Sequence, residues 1–386
     1  MKLSAHPLWL VGFRPFFSLA CLAGLSLPVL WALIFSGTIG APSTTFSPTQ
    51  WHAHEMFFGF GWAVLGGFLL TSTKNWVNIR GYHGPALIFL AAAWLVERLG
   101  MWFQGSLPPL LFQISNKLFL GSIVAMLVWT LVKHRKDDSY RDNYFFFVIL
   151  PLFLIAKQLM LGADSFQIGW SMALGLFRMA FLVMLERTLT PFMKGAFQVE
   201  ILRKPPLDKA IKLLALLLVF ASLLPLPLAS TLELALALLL AGRFAFWKPQ
   251  LALRRLDIGI MYLGYLAIVA QLLIESARAF APLAWVGSLS VHVFTFGSMG
   301  LIIPAMIIRI ANGHTGRKVN FDARDKLVLW IMIVGFVCRV VAPQFDPAGY
   351  LRWIELAAAC WFAAFSLLAW RYIPYLMAPR VDGKVH

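Results

Sequence analysis

Apolar runs of about 20 residues, the length that an α-helix needs to cross the hydrocarbon core of a bilayer, recur along this sequence from Phe16 to Tyr372. Short polar or proline-containing breaks separate them, so little chain remains for a soluble domain. Of the 386 residues, 60% are hydrophobic and 13% are charged, which lies far outside the usual range for a soluble globular protein. The sequence therefore predicts an all-α, polytopic membrane protein with one integral membrane domain over residues 1–386.

The breaks between the apolar runs predict twelve transmembrane helices. The predicted spans cover residues 16–36, 54–73, 85–103, 116–133, 144–161, 168–190, 210–224, 228–246, 258–274, 283–309, 327–341 and 350–373. An even number of spans places both termini on the same side of the membrane.

The net charge of +16 would suggest nucleic-acid binding in a soluble protein, but here the basic residues follow the membrane. One set of alternate loops holds almost no lysine or arginine, whereas the other set holds Lys74, Arg80, Lys133, Arg135, Lys136, Arg141, Arg187, Lys194, Arg203, Lys204, Lys209, Arg243, Lys248, Arg254, Arg255, Arg317, Lys318, Arg324 and Lys326. The positive-inside rule therefore predicts cytoplasmic termini and basic loops. The expected partner is the lipid bilayer and not nucleic acid. The sequence does not indicate a protein partner.

Ionisable residues inside predicted spans are costly in hydrocarbon and are therefore the most informative positions of the sequence. Arg178 is the deepest, about ten residues into its span and hence about 15 Å from the surface at 1.5 Å per residue. The others lie in the outer half or at the outer surface: Glu97, Arg98, Lys157, Asp164, Glu233, Glu275, Arg278, Arg339 and Glu355. Two interpretations stay open: these groups pair with one another and fix helix register, or they serve a binding site.

The histidines are the next candidate binding residues, because imidazole is a common ligand of haem iron and copper. His52 and His54 open the second span in the motif WHAHEM, followed by a glycine-rich helix. The glycines predict a close flat neighbour, which is either another helix or a porphyrin. His52 and Met56 share a helix face, whereas His52 and His54 converge only if the segment is extended. Two imidazoles and a thioether suit copper but form an incomplete ligand set.

His292 enters the tenth span from the same side as His54 enters the second. It is followed by Phe296 and Gly297, which repeats the HxxxFG spacing of His54. Two histidines at comparable depth are candidate axial ligands of a haem, and the alternative is that each is a buried hydrogen-bonding residue. Buried cations would neutralise the haem propionates, and Arg178, Lys157 and Arg339 are the candidates.

Motifs of other function classes are absent from the sequence. Cys21, Cys338 and Cys360 fall inside spans without the paired spacing of a metal or redox site, so core packing is expected for them. The sequence has no Walker A loop, no GxGxxG turn and no GxSxG elbow. It therefore does not support a nucleotide-driven pump or a hydrolase.

Three motifs together resemble the NnrS family: GFRPFF at residues 12–17, WHAHEM at residues 51–56 and GHTGR at residues 313–317. The resemblance extends over nearly the whole chain. Members of that family are twelve-helix proteins of the bacterial inner membrane that contain haem and copper and are associated with nitric oxide and denitrification. The resemblance therefore implies haem, copper and a role in nitrosative stress, with nitric oxide as a ligand. It does not imply a turnover reaction, so whether the protein is an enzyme stays open.

The arrangement also resembles, distantly, that of haem–copper oxidase subunit I, in which histidines of the second and tenth spans hold a low-spin haem. That similarity is partial, because the sixth predicted span contains no histidine. Two alternatives remain. A secondary transporter with helices broken at Pro28, Pro191 and Pro304 would use Arg178 as its anion-binding charge. An assembly factor would pass haem or copper to a partner.

Overall fold

The computed structural model describes residues 3–42, 45–137, 141–281 and 283–384, with the side chains of Asp137, Arg141 and Asp142 left out. Met1 and His386, the predicted cytoplasmic ends, lie outside that description. Its main helices are α1 Phe13–Phe35, α2 Pro48–Val77, α3 Pro85–Trp102, α4 Pro109–Lys133, α5 Phe145–Leu161, α6 Phe166–Phe197, α7 Pro205–Leu217, α8 Leu226–Phe246, α9 Leu256–Phe280, α10 Leu289–His314, α11 Ala323–Phe345 and α12 Pro347–Met377. The part of the chain that the structure describes contains no strand.

Each predicted span coincides with one of these helices, which confirms the all-helical, polytopic membrane fold. Within the described ranges, ten helices are long and apolar enough to cross a bilayer, and α5 is apolar but shorter. Helix α7 has 13 residues and continues into a 3-10 turn, Leu218–Leu223. The number of twelve spans and the cytoplasmic position of the termini therefore stay predictions.

The chain divides into two compact units. Unit 1 comprises Met1–Gly169, Ile307–Asn320 and Phe365–His386, and unit 2 comprises Trp170–Met306 and Phe321–Ala364. Helices α6, α10 and α12 each contribute residues to both units. The single integral domain predicted from the sequence stays a prediction.

Large apolar side chains are exposed on helices of both units, as a lipid-facing surface requires. Leu110 and Trp129 on α4 are 71% and 61% exposed, and Leu238 on α8 and Trp370 on α12 are 62% and 64% exposed. Water would penalise so much apolar area, whereas lipid tails solvate it. These side chains therefore support membrane insertion of both units.

Helix α2 begins with a capping box that fixes the position of the predicted histidines. Ser47 Oγ accepts from the Gln50 amide at 3.2 Å, and Gln50 Oε1 accepts from the Ser47 amide at 2.9 Å. Pro48 occupies the first helical position, which its fixed φ angle favours. The segment Pro48–His54 is consequently helical, and the extended alternative, in which the imidazoles of His52 and His54 converge, is not observed.

In the part of the chain that the structure describes, three helices contain π-helical stretches, which shift the side-chain register along a helix and are frequent at functional sites. They are Glu55–Gly61 in α2, Thr295–Gly300 in α10 and Val337–Val341 in α11. The first follows His54 directly, and the second lies three residues after His292. The prediction of breaks at Pro28, Pro191 and Pro304 is wrong, since all three lie inside continuous helices whose backbones accommodate the missing amide hydrogen bonds.

Helices α1 and α2 pack closely in unit 1 because glycine stands at their contact. A Cβ atom on Gly67 would lie 2.8 Å from Phe16 Cβ and 3.4 Å from the Gly12 carbonyl oxygen. The Phe13 amide donates to Thr71 Oγ1 at 2.9 Å across the same contact. Such close approach is typical of small residues between membrane helices.

The motifs GFRPFF and GHTGR meet in unit 1. The ring centroids of Phe13 and His314 are 5.2 Å apart. Arg14 is 1% exposed, and its Nη1 donates to the carbonyl oxygens of Leu376 at 2.9 Å and Ala378 at 2.7 Å. GFRPFF therefore contacts GHTGR through Phe13 and anchors the end of α12 through Arg14.

The segment after α12 is held by a second arginine. Arg380 Nη1 donates to the His314 carbonyl oxygen at 2.9 Å. The hydrogen bond from Arg380 Nε to Asp382 lowers the pKa of the Asp382 carboxyl to about 2. These contacts fix the turn of the GHTGR motif against the C-terminal segment.

We expect the substitution Gly67→Ala to destabilise the protein, because its Cβ meets Phe16 Cβ and backbone, which cannot move aside cheaply. Overpacking of this kind costs about 1–3 kcal/mol. Gly121→Ala in α4 is the matched control, since no atom of the described residues lies within 4 Å of its Cβ position. Thermal unfolding in detergent should show a lower midpoint for Gly67→Ala only. Equal midpoints for both variants would contradict the close packing of α1 and α2.

Candidate functional site

The predicted site residues fall into two groups, one in each unit. His52, His54, Met56 and Lys157 belong to unit 1. Arg178, His292 and Arg339 belong to unit 2. The side chains around His54 in unit 1 differ in chemistry from those around His292 in unit 2.

In unit 1, both ring nitrogens of His54 have partners. Nδ1 lies 3.2 Å from Glu55 Oε1, and Nε2 lies 3.2 Å from Asn116 Nδ2 and 3.9 Å from Glu97 Oε1. Because the Asn116 amide group donates, Nε2 accepts, and the protonated Nδ1 donates a hydrogen bond to the Glu55 carboxylate. His54 is 0% exposed. Its lone pair is therefore engaged inside the protein.

Glu97 connects His54 to two cations. Its Oε1 lies 2.7 Å from Lys157 Nζ and also accepts from Arg98 Nη2. Arg98 Nη1 lies 3.4 Å from Glu55 Oε2, and Lys157 donates to the Asn116 carbonyl oxygen. We call His54, Glu55, Glu97, Arg98, Asn116 and Lys157 the His54 cluster.

The His54 cluster joins four helices, α2, α3, α4 and α5, and its charges balance. Two carboxylates face two cations, so the sum is zero with a neutral imidazole. Glu55, Glu97, Asn116 and Lys157 are at most 3% exposed, and the Arg98 side chain is 12% exposed. Buried charges of this kind are tolerated only when they are paired and hydrogen-bonded. Of the two interpretations left open for ionisable residues in spans, mutual pairing is observed here.

Some polar atoms of the cluster keep spare hydrogen-bonding capacity. Among the described residues, Glu97 Oε2 and the Nε and Nη1 atoms of Arg98 are buried without a hydrogen-bond partner. Arg98 also lies over the Trp94 ring at 5.4 Å, and Lys157 lies 5.8 Å from the Phe58 ring centroid. The surrounding aromatic faces stabilise both cations.

The glycines of α2 admit neighbouring side chains. A Cβ on Gly59 would collide with the guanidinium group of Arg98, and a Cβ on Gly66 would lie 2.9 Å from Ile123 Cδ1. Trp94 Nε1 donates to the Gly59 carbonyl oxygen at 3.0 Å. Protein atoms thus occupy the flat glycine face that suggested either a helix or a porphyrin.

His52 and Met56, the other candidate copper ligands, are partly buried beside the cluster. The imidazole of His52 stacks on Trp31, with ring centroids 4.3 Å apart and an interplanar angle of 14°. Within the described residues, no group of three or more His, Cys, Asp or Glu side chains is arranged to hold a metal ion. The copper site, including any part of His54 or His292 in it, stays a prediction.

In unit 2, His292 is oriented by Ser288. Its Nδ1 lies 2.9 Å from the Ser288 carbonyl oxygen and 3.0 Å from Ser288 Oγ. A carbonyl oxygen only accepts, so Nδ1 carries the hydrogen, and in the neutral ring the lone pair is on Nε2. Arg339 Nη2 donates to the same Ser288 Oγ at 3.3 Å. One serine therefore links two of the predicted cofactor ligands.

Arg178 belongs to a second polar chain of unit 2. Its Nη1 donates to Gln271 Oε1 at 2.8 Å, Gln271 Nε2 lies 3.4 Å from Ser290 Oγ, and Ser290 donates to Glu275. Glu233 and Glu275 attract the Arg178 guanidinium group electrostatically. Arg178 is 3% exposed, and its Nε has no hydrogen-bond partner among the residues described. A buried donor of this kind suits an anionic group.

Asn116, Gln271 and Ser288 were missed by the sequence analysis. Asn116 and Gln271 are amides inside apolar runs, which is a detectable signal, because an unpaired amide is costly in hydrocarbon. Ser288 lies four residues before His292, where a helical turn brings the two together. Only the histidine had been considered.

The comparisons with known proteins identify the family. The family model described as NnrS protein matches residues 7–380, nearly the whole chain. The protein belongs to the NnrS family. Membership links this multi-pass membrane protein to the cellular response to nitric oxide, as the three motifs predicted. No curated protein matches the chain.

We expect Glu97→Gln to lower the thermal unfolding midpoint, because it leaves Arg98 and Lys157 facing only Glu55. Breaking a buried ion pair costs about 3–5 kcal/mol. Glu200→Gln is the control, since the Lys194 and Glu200 side chains are 65% and 71% exposed; it should leave the midpoint unchanged. An unchanged midpoint for Glu97→Gln would refute the role of the His54 cluster in stability.

Proposed function

We propose that this protein binds haem in the bacterial inner membrane and contributes to nitric oxide tolerance, with His292 as an axial ligand. The observation that carries the proposal is the orientation of His292 by the Ser288 carbonyl oxygen. A metal-ligating histidine characteristically donates its other ring N–H to a carbonyl or carboxylate, which fixes the tautomer and the ring. His292 has this donor arrangement.

The cations of unit 2 support the same proposal. Haem carries two propionates, and buried arginines bind carboxylates through charge-assisted hydrogen bonds. Arg339 shares Ser288 with His292, and Arg178 has a buried Nε without a hydrogen-bond partner among the described residues. Lys157 lies in unit 1 and is paired with Glu97, so we assign the propionates to Arg339 and Arg178.

The chain's own residues hold and orient the group. When bound, haem supplies an iron that takes nitric oxide at an axial position. Ser288 fixes the imidazole of His292 through its carbonyl oxygen. The basic loops are proposed to face the cytoplasm, with both termini on that side.

A secondary transporter is the second candidate function. Arg178 favours it, because a deeply buried guanidinium group with an unused donor is also an anion-binding charge. A purified protein that is free of haem after expression with ample haem would support this candidate. Weakly held, substoichiometric haem would instead favour an assembly factor.

We expect His292→Ala to lower the haem-to-protein ratio by on the order of tenfold or more, because even the loss of a supporting contact weakens metal binding 10–100-fold. His83→Ala is the matched control: His83 is exposed, and its Nδ1 lies 3.1 Å from the Gly81 carbonyl oxygen. The measurement is haem content by optical spectroscopy of detergent-purified protein, with nitric oxide then added.

Wild type and His83→Ala should show a haem spectrum that nitric oxide perturbs. Membrane insertion of His292→Ala should equal that of wild type, so that lost haem reflects lost ligation. Full haem content in His292→Ala would exclude His292 as a ligand. A haem spectrum that nitric oxide leaves unchanged would exclude nitric oxide binding.

A further inference from the structure

We propose that a phosphate group binds at one end of unit 1, where the motif GHTGR at residues 313–317 meets the C-terminal segment. Neither haem nor nitric oxide enters this inference, so it is independent of the proposed function. The site is a group of mostly basic side chains that we call the GHTGR cluster. It comprises Arg14, Lys74, His314, Arg317, Arg380 and Asp382.

Contacts between helix ends bring the arginines of the GHTGR cluster together. Arg14 Nη1 donates to two carbonyl oxygens at the end of α12, at 2.9 Å and 2.7 Å. The guanidinium group of Arg317 lies over the ring of Tyr375 near the same helix end, 3.9 Å from the ring centroid. Arg380 Nη1 donates to the His314 carbonyl oxygen at 2.9 Å. At these positions Arg317 and Arg380 repel the Arg14 guanidinium group electrostatically.

Positive charge exceeds negative charge in the GHTGR cluster. Its four cations are Arg14, Lys74, Arg317 and Arg380, and its carboxylate is Asp382. With a neutral imidazole, four positive charges and one negative charge leave a sum of +3. Asp382 accepts from Arg380 Nε at 2.8 Å, whereas the other three cations form no ion pair with a carboxylate of the described residues. Such an excess of like charges attracts an anion.

Helix ends offset only part of this excess. A helix C-terminus carries about −0.5 charge and an N-terminus about +0.5, so basic residues often lie at C-termini for structural reasons alone. Helices α2, α10 and α12 end at the cluster, and α1 begins there. The four helix ends therefore sum to about −1, which leaves about two positive charges. A phosphate group bears about one to two negative charges at neutral pH.

Two donors of the cluster, Lys74 and His314, are exposed. Neither the Lys74 ammonium group nor the His314 ring forms a hydrogen bond or an ion pair with a described residue. Phe13 connects them: its ring centroid lies 5.2 Å from that of His314, and its amide donates to Thr71, one helical turn before Lys74. Phosphate oxygens accept charge-assisted hydrogen bonds from such groups. An anion bound here lies in the field of the arginines.

The surface of α12 next to the cluster is apolar, which favours a phospholipid as the source of the phosphate group. Met377 at the end of α12 is 44% exposed, and Trp370, two turns before it, is 64% exposed. Tryptophan is enriched where lipid tails meet headgroups. Lipid tails would cover these side chains while the headgroup phosphate contacts Lys74. Inorganic phosphate offers the same oxygen atoms, so the experiment has an arm for each source.

The test uses the full-length protein in detergent. Native mass spectrometry with phosphatidylglycerol and phosphatidylcholine compares an anionic with a zwitterionic headgroup. Thermal unfolding in inorganic phosphate and in chloride at equal ionic strength examines the free anion. Lys74→Gln removes one exposed donor from the cluster. Lys209→Gln is the matched control, since it removes the same charge from an exposed position outside the cluster.

We expect phosphatidylglycerol to bind wild type more tightly than phosphatidylcholine does. Lys74→Gln should weaken that binding about fivefold, which corresponds to the contribution of about 1 kcal/mol from one basic residue beside an anionic lipid surface. Lys209→Gln should bind as wild type does. If inorganic phosphate raises the unfolding midpoint of wild type and phosphatidylglycerol is not preferred, the site holds and its source is the free anion.

A wild type that prefers neither phosphatidylglycerol over phosphatidylcholine nor phosphate over chloride would overturn the inference. That outcome needs no variant, so a misfolded Lys74→Gln cannot leave the inference undecided. Equal binding by Lys74→Gln and Lys209→Gln would overturn it as well, because binding would then follow the net charge of the protein and not the GHTGR cluster.

Discussion

The ion pairs of the Glu97 carboxylate hold together the buried polar cluster of unit 1. In hydrocarbon no water can screen a charge, so each ionised group must find its partner within the protein. Glu97 binds Lys157 and Arg98 and lies 3.9 Å from His54 Nε2. One side chain thereby ties α3 to α2 and α5, and Asn116 adds α4. The contacts among these four helices and the hydrogen bonds of His54 depend on this pairing, whereas the capping box of Ser47 and Gln50 fixes the start of α2.

In unit 2, the need to pair buried ionisable groups is met by different contacts. There the ionisable groups are linked through neutral side chains: Ser288 joins His292 to Arg339, and Gln271 joins Arg178 to Ser290. Hydroxyl and amide groups orient their partners without neutralising them. Arg178 keeps a buried Nε without a hydrogen-bond partner among the described residues, with Glu233 and Glu275 as its electrostatic partners, and Nδ1 of His292 is held by Ser288. This contrast is the physical basis for proposing that the cofactor binds in unit 2.

Much of the fold was predictable, because hydrophobic run length is a direct consequence of bilayer thickness. The motifs at residues 12–17, 51–56 and 313–317 also led to the correct family. The π-helical stretches were not predictable, since a shift from i→i+4 to i→i+5 bonding has no strong sequence signal beyond glycine. The helix breaks expected at Pro28, Pro191 and Pro304 failed for a related reason: proline removes one amide donor but does not by itself interrupt a membrane helix.

The residue types of the candidate site were predictable, whereas the hydrogen bonds and ion pairs between these residues were less so. His54 and His292 share the HxxxFG spacing, yet Asn116 and Glu55 surround the first and Ser288 the second. Asn116 comes from another helix, whereas Glu55 and Ser288 lie close to their histidines in the sequence. Linear spacing does not show which neighbours contact the rings, so it could not distinguish the two histidines. The distinction required the packing of four helices around Glu97.

A cryo-electron microscopy map of the full-length protein, purified with haem supplied during expression and embedded in lipid, tests the central claim most directly. The account predicts porphyrin density joined to the imidazole of His292, with His54 still between Glu55 and Asn116. Porphyrin density joined to His54, with Asn116 or Arg98 displaced, would contradict it.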